Sequence, residues 1–165
     1  LLSYSNEMAV QVVRPATVCG LSPRMRLDVA VNLLTMAALD KRQITVFGGK
    51  QVRPNIHIDD ITDLYMFMLE HQEVTGIFNA GFENMSIFKI AEAVSNVFPS
   101  KIVTKKTNDL RSYRLNSDKL LATGFVPKKT VSDAVSEIIN AYQNGELQNE
   151  DRFHNLRWMQ SQGFN

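Results

Sequence analysis

Arg53 is the residue in this sequence best suited to bind an anionic ligand. It stands between a Gly48-Gly49 turn and a strand-like run over residues 56–58. A guanidinium group matches two phosphate or carboxylate oxygens at once, whereas a lysine ammonium acts as a point charge. Taken alone, these residues favour a surface arginine that pairs with a neighbouring carboxylate. Phosphate binding by Arg53 is the alternative.

Two other groups of side chains are candidates for chemistry. His57, with Asp59, Asp60 and Asp63, has residue types found in metal sites. A lone histidine in a strand just before a helix cap is more often a hydrogen-bonded core residue, and we favour that reading. Cys19 has no histidine or lysine nearby in the sequence to lower its pKa, so we predict a buried structural thiol rather than a nucleophile.

These residues must be positioned by alternating strands and helices, which predict an α/β fold with few strands and many peripheral helices. Asp60 and Ser86 are the predicted N-caps of two of the helices. Residues 9–14 form a continuous apolar run that predicts a buried parallel strand. The predicted strands are 9–14, 43–47, 76–80 and 102–104, and the predicted helices are 27–39, 61–71, 87–98, 117–121, 130–142 and 151–160.

The composition sets modest limits on function. The chain has 165 residues, 44% of them hydrophobic and 21% charged, which predicts one globular domain with a substantial core. The formal net charge of +1 gives no reason to expect a nucleic-acid partner. No apolar run approaches the ~18 residues of a membrane span. The single cysteine fits a reducing compartment, and we predict a cytoplasmic protein.

Five segments, taken in order and spacing, resemble the C-terminal half of the extended short-chain dehydrogenase/reductases. That family comprises nucleotide-sugar epimerases, dehydratases and reductases. The resemblance implies a substrate-binding C-terminal portion of a Rossmann-type enzyme, spanning residues 1–165. The segments are RPATVCG (14–20), SPRMR (22–26), ITVFGGKQVRPNIHIDD (44–60), FNAG (78–81) and RSYRLNSDKLLATGFVPKKTVSDAV (111–135).

The resemblance also implies a function. It implies a nucleotide-diphosphate sugar as partner and NAD or NADP as cofactor, the cofactor being bound mainly by an N-terminal part absent from this chain. Hydride would pass between the sugar and the nicotinamide. The identity of the sugar and its base, the reaction type and the choice between NAD and NADP stay open. A homodimer of the longer protein is one of the oligomeric states left open.

Two features of the family are missing from this sequence. The eight glycines never form a GxxGxxG turn, and none of the four tyrosines has a lysine at the fourth position after it. We therefore predict that the chain is part of a longer protein, opening at Leu1 within the last turns of the helix that carries the catalytic pair, and that it is inactive alone. A non-catalytic fragment, or a divergent relative used for regulation or protein contacts, is the alternative.

The resemblance assigns roles to residues on two loops and a helix. Pro15 and Ala16 would contact the nicotinamide end of the cofactor. Thr17 would contact the substrate, although relatives commonly have asparagine there. Asn32 would reach the sugar or phosphate, or else be a solvated helix residue. Arg24 and Arg26 would clamp the same phosphates or simply be solvated.

The remaining assignments lie around Arg53, which would contact the diphosphate. Thr45 and Phe47 would line the base pocket, unless their role is core packing. Lys106 falls where relatives often have arginine, and Tyr113 falls where an aromatic residue contacts the substrate. We predict no catalytic residue and no metal ligand in this chain.

Overall fold

A computed structural model describes residues 2–109 and 111–163. It contains seven strands and six α-helices in these ranges. Short 3-10 helices cover Leu2–Tyr4 and Asp151–Phe153. The order is β1 (Gln11–Pro15), β2 (Thr17–Cys19), α1 (Ala30–Lys41), β3 (Gln43–Phe47), β4 (Val52–His57), α2 (Ile58–Glu70), β5 (Gly76–Ala80), β6 (Glu83–Ser86), α3 (Ile87–Val97), β7 (Lys101–Lys105), α4 (Asp118–Leu121), α5 (Val131–Gln143) and α6 (Asn155–Ser161).

The strands form three small sheets. β1 pairs with β5 and β3 pairs with β7, both in parallel. The third sheet has the order β2-β4-β6, in which β2 is parallel and β6 antiparallel to β4. This confirms the predicted α/β fold with few, mostly parallel strands and peripheral helices.

Two hydrophobic clusters lie beneath these sheets. The larger one joins α1, α3 and α5 to β3, with Met36, Ile44, Ile90 and Ile138 almost fully buried. The smaller one joins α2 and α4 to β4 and β5. The buried residues along α2, α3 and α5 recur at helical spacing, which explains why these helices pack where they do.

The helix starts agree only partly with the sequence prediction. Ser86 caps α3 as predicted, because its hydroxyl accepts from the backbone N–H of Lys89 at 3.2 Å. The prediction that Asp60 caps the preceding helix, α2, is wrong. The N-cap of α2 is His57, whose Nδ1 accepts from the N–H of Asp59 at 3.1 Å. Asp60 is buried in the first turn instead.

Strands β2 and β6 were not predicted. β2 lies in what the sequence indicated as a loop, and β6 (ENMS) lacks the β-branched residues that favour strands. Strand β1 was predicted to be buried, but its residues are half-buried or exposed. Among the described residues, β1 pairs with one strand only, so one of its edges has no strand partner there.

None of the helices within residues 2–109 and 111–163 combines the length and apolar character needed to cross a bilayer.

Candidate functional site

A cleft of about 530 Å³ opens between α1, β3 and the start of β4. One wall is an apolar stripe on α1, whose members recur at helical spacing. The other side carries the three residues of β3 that alternate with its buried Ile44 and Val46. The lining residues are Ala30, Leu33, Leu34, Ala37, Lys41, Gln43, Thr45, Phe47, Gln51, Arg53, Ile87, Thr107 and Asp109.

Arg53 is one of two cationic residues that line this cleft, the other being Lys41. Its side chain is only 16% exposed, and its Nη2 donates to Oδ2 of Asp109 at 3.3 Å. Its Nη1 donates to the carbonyls of Val52, at 3.0 Å, and Arg111. The guanidinium carbon lies 5.7 Å from the centre of the Tyr113 ring. Arg53 is therefore held in one orientation at the edge of the cleft.

Asp109 lies between two arginines. Besides Arg53, it accepts from Nε of Arg111 at 2.8 Å and from Nη2 of Arg111 at 2.9 Å. These bonds hold the pKa of the Asp109 carboxyl well below its ordinary value, with the Arg111 hydrogen bond as the main cause. The group of three carries one net positive charge while Asp109 is ionised, and only one hydrogen bond links Asp109 to Arg53.

A smaller recess of about 350 Å³ adjoins the cleft and shares Gln51, Thr107 and Asp109 with it. It lies beside the turn between β3 and β4. Gln51 bridges this turn, because its Oε1 accepts from the N–H of Gly49 at 2.6 Å and its Nε2 donates to the carbonyl of Phe47 at 2.8 Å. A Cβ at Gly48 would lie 2.5 Å from the Thr107 methyl, so the turn requires glycine there.

The structure brings together some of the predicted site residues. Thr45, Phe47 and Arg53 line the cleft, and Tyr113 lies beside the Arg53 guanidinium. Lys106 is exposed and precedes Thr107 in the chain without lining the cleft. Arg26 pairs with Asp28 at 2.7 Å, and Arg24 is exposed; neither lines the cleft.

Pro15, Ala16 and Thr17 lie apart from the cleft, at the carboxyl end of β1 and the start of β2. The N–H of Ala16 donates to the carbonyl of Ala80 at 2.7 Å. A Cβ on Gly81 would lie 2.6 Å from the Cβ of Ala16, so the two chain segments pack in close contact. The roles predicted for these three residues stay predictions.

Asn32 does not lie in the cleft either. It is 2% exposed, its Oδ1 accepts from the N–H of Gly20 at 3.1 Å, and its Nδ2 donates to the carbonyl of Arg26 at 2.9 Å. The solvated helix residue considered as its alternative is therefore wrong. In this structure the amide fixes the loop before α1.

His57 is a buried and fully hydrogen-bonded histidine, as the sequence indicated. Nδ1 accepts from the N–H of Asp59, so Nε2 carries the proton and donates to Glu137 at 3.0 Å. Neither nitrogen has a free lone pair for a cation. The Lys129 ammonium also lies 2.8 Å from Glu137 and 3.7 Å from Asp59, where it supplies the positive charge for this group.

Cys19 behaves as the structural thiol that the sequence predicted. Burial raises the pKa of its thiol to about 12, and the negative charge of Glu83 adds to this effect. Sγ donates to the carbonyl of Ile56 at 3.5 Å.

We expect Cys19 to be unreactive toward an aromatic disulfide reagent in the native protein at about pH 8, because almost no thiolate is present or accessible. The chain's one cysteine should react fully after unfolding. Absorbance of the released thiol measures both states, with Cys19→Ser as the blank. Native-state reaction at the rate of a free thiol would contradict the burial of this group.

The first half of the chain has known relatives. Residues 2–81 match the NAD dependent epimerase/dehydratase family. This part of the chain is therefore similar to that family. Dihydroflavonol 4-reductase from Hordeum vulgare is 23% identical over 150 residues, which are 88% of this chain and 40% of the relative. The resemblance stated from the sequence is confirmed.

Solved structures of the same fold align with more of the chain than residues 2–81. UDP-N-acetylglucosamine 4-epimerase from Bacillus cereus aligns with a TM-score of 0.73 at 18% identity, over 86% of this chain and 52% of that one. dTDP-glucose 4,6-dehydratase from Bacillus anthracis, in complex with NAD, aligns with a TM-score of 0.72 at 20% identity, over 94% and 50%. The chain thus spans about half the length of these two structures and 40% of the length of the Hordeum vulgare relative.

The family's name raises the question of whether these residues fit a dinucleotide. A pyrophosphate site of this fold class needs a glycine turn that leads from a strand directly into a helix N-terminus. Within residues 2–109 and 111–163, the Gly48-Gly49 turn leads from one strand to another, and Gly76 begins β5. The described residues therefore do not form that part of a dinucleotide site.

Sequence reasoning missed Asp109, Thr107 and Gln51 as cleft residues. The spacing of Asp109 and Arg111 was a usable signal, because residues two apart in an extended segment can pair locally. The contact between Asp109 and Arg53 could not be predicted from the sequence, because the two residues are 56 positions apart.

Proposed function

We propose that this chain is the nucleotide-sugar-binding portion of an NAD(P)-dependent epimerase, dehydratase or reductase. In the longer protein that we propose, hydride would pass between the sugar and the nicotinamide. The observation that carries the proposal is the Arg53 guanidinium, held at the edge of an apolar cleft.

The lining of the cleft combines apolar and charged groups, as a nucleotide sugar does. The aliphatic stripe of Leu33, Leu34 and Ala37 lies on one wall, and on β3 Thr45 and Phe47 offer a hydroxyl and an aromatic ring. These groups suit a flat base that is apolar on its faces and polar at its edge. The Arg53 guanidinium suits a diphosphate.

The contacts of Arg53 indicate how a diphosphate would bind. Its bond to Asp109 is a single one, whereas Asp109 makes two side-chain bonds to Arg111. A diphosphate that replaced Asp109 on Arg53 would therefore leave the carboxylate still paired with Arg111. The exchange would not strand an unpaired charge, which is the usual penalty for breaking an ion pair.

Titration calorimetry with the 165-residue chain tests the proposal directly. We expect a nucleoside diphosphate to bind more tightly than NAD or NADP. The dinucleotides should bind no more tightly than about 1 mM, or about −4 kcal/mol, because the described residues form no pyrophosphate turn.

Two results would contradict this proposal. Micromolar binding of a dinucleotide would show that the chain holds a cofactor site of its own. A dihydroflavonol that bound while every nucleoside diphosphate failed would assign the cleft to a flat aromatic substrate instead, the substrate class named in the Hordeum vulgare relative. The panel should therefore contain uridine, thymidine, guanosine and adenosine diphosphates together with one dihydroflavonol.

A further inference from the structure

The residues that meet Arg53 come from an irregular stretch, the 106–116 segment, between β7 and α4. Its described residues, 106–109 and 111–116, form no helix or strand. It nevertheless carries Asp109 and Tyr113, both of which contact the Arg53 side chain. Regular hydrogen bonding does not fix the position of these two residues, so other contacts must.

Asn84 on β6 supplies one of those contacts. Its Oδ1 accepts from the N–H of Leu115 at 2.9 Å, and its Nδ2 donates to the carbonyl of Leu115 at 3.0 Å. One side-chain amide thus binds both backbone groups of a single residue, as a neighbouring strand would. This pair of bonds fixes the backbone of Leu115 against the edge of the β2-β4-β6 sheet.

A second anchor lies three residues earlier. The N–H of Val52 donates to the Ser112 hydroxyl at 3.0 Å, and the N–H of Tyr113 donates to the carbonyl of Val52 at 3.3 Å. Between the bonds at Ser112 and Tyr113 and those at Leu115, only Arg114 remains. The two anchors together determine where the Tyr113 ring lies relative to Arg53.

The end of the 106–116 segment has independent support. The Ser117 hydroxyl donates to the carbonyl of Gly81 at 2.9 Å and accepts from its N–H at 3.0 Å. Asn84 can therefore be replaced without releasing the chain on the α4 side, and we expect its variants to fold.

We infer that Asn84 is a positioning residue of the nucleotide site: it sets the place of Tyr113 beside Arg53 without touching the ligand. This inference rests on the proposed function of the cleft. Asn84 itself lies outside the cleft lining, and both the oxygen and the nitrogen of its side-chain amide are hydrogen-bonded to Leu115. Without the two bonds from Asn84, the backbone at Leu115 could move and the Tyr113 ring could shift away from Arg53. The guanidinium would then lose its fixed orientation.

The test compares nucleoside diphosphate affinity in matched asparagine variants. Asn84→Ala should raise the dissociation constant about five- to tenfold, because two hydrogen bonds that order the segment are lost. Asn84→Asp keeps the acceptor for the Leu115 N–H and should recover part of the affinity. Asn79→Ala is the control, since Asn79 donates one bond at 3.3 Å to Asn116 of the same segment, beyond the two anchors. It should change the affinity less than about twofold.

A double-mutant cycle separates positioning from general loosening of the fold. In an Arg53→Ala background, Asn84→Ala should have no further effect on affinity, because its action passes through the guanidinium. Amide hydrogen exchange at Tyr113 and Leu115 in the ligand-free protein should also become faster in Asn84→Ala and not in Asn79→Ala.

The outcomes test the positioning role of Asn84 separately from the proposed nucleotide-binding function of the cleft. If the wild type binds and Asn84→Ala binds equally well, or if its effect adds fully to that of Arg53→Ala, the positioning role is overturned and the nucleotide site stands. If the wild type binds no nucleoside diphosphate, the proposed function falls and the positioning role falls with it.

Discussion

Replacing Arg53 by alanine is expected to raise the dissociation constant of a nucleoside diphosphate about ten- to hundredfold. Hydrogen bonds to a charged group contribute about 1.5–3 kcal/mol, which corresponds to a change of that size. Arg53→Lys should recover only part of the affinity, because one ammonium cannot bind two oxygens as a fork. Titration calorimetry on the wild type and both variants measures the effect.

Arg53 also holds the 106–116 segment through Asp109 and Arg111, so its structural role needs a control. Ser112→Ala removes the Val52 bond and loosens the same segment, but the protein keeps the Arg53 side chain. It should weaken binding far less than Arg53→Ala, with a melting curve on each variant to confirm folding. Unchanged affinity in a folded Arg53→Ala protein would contradict the assignment of the diphosphate to this residue.

Replacing Asp60 by alanine is expected to lower the free energy of unfolding by about 2–4 kcal/mol. Asp60 is 1% exposed, and its two oxygens accept from the backbone N–H groups of Lys128 at 2.8 Å and Lys129 at 3.2 Å. These bonds join the start of α2 to the segment that leads into α5. Alanine would leave both N–H groups without their acceptor. Chemical denaturation with an unchanged slope measures the loss.

The neighbouring Asp59 provides the matched control for this prediction. Its side chain is 57% exposed and lies 3.7 Å from the Lys129 ammonium, so it forms a weak surface ion pair. Asp59→Ala should cost less than about 1 kcal/mol. Equal losses in the two variants would mean that Asp60 acts only through the charge of the α2 N-terminus.

Much of the fold could be predicted from local sequence patterns. The apolar spacing of the helices, the Ser86 cap and the strands over 43–47 and 76–80 are all encoded within a few residues. The same holds for the cleft wall on β3, because strand alternation buries Ile44 and Val46 and turns Thr45 outward.

What could not be predicted depends on residues far apart in the chain. Asp60 has the sequence pattern of an N-cap, but its partners lie 68 and 69 positions away. Asn32 shows no local sign that its amide closes the preceding loop. The link from Asn84 to Leu115 spans 31 positions and joins a short strand to an irregular segment. Such pairs are set by tertiary packing, which propensity and periodicity do not report.

A crystal structure of the protein with a bound nucleoside diphosphate tests the nucleotide site most directly. We expect the diphosphate within hydrogen-bond distance of the Arg53 guanidinium, with the base between the α1 stripe and β3. Asp109 should have left Arg53 and kept its bonds to Arg111. A diphosphate bound elsewhere, with the contact between Arg53 and Asp109 intact, would contradict the proposed site.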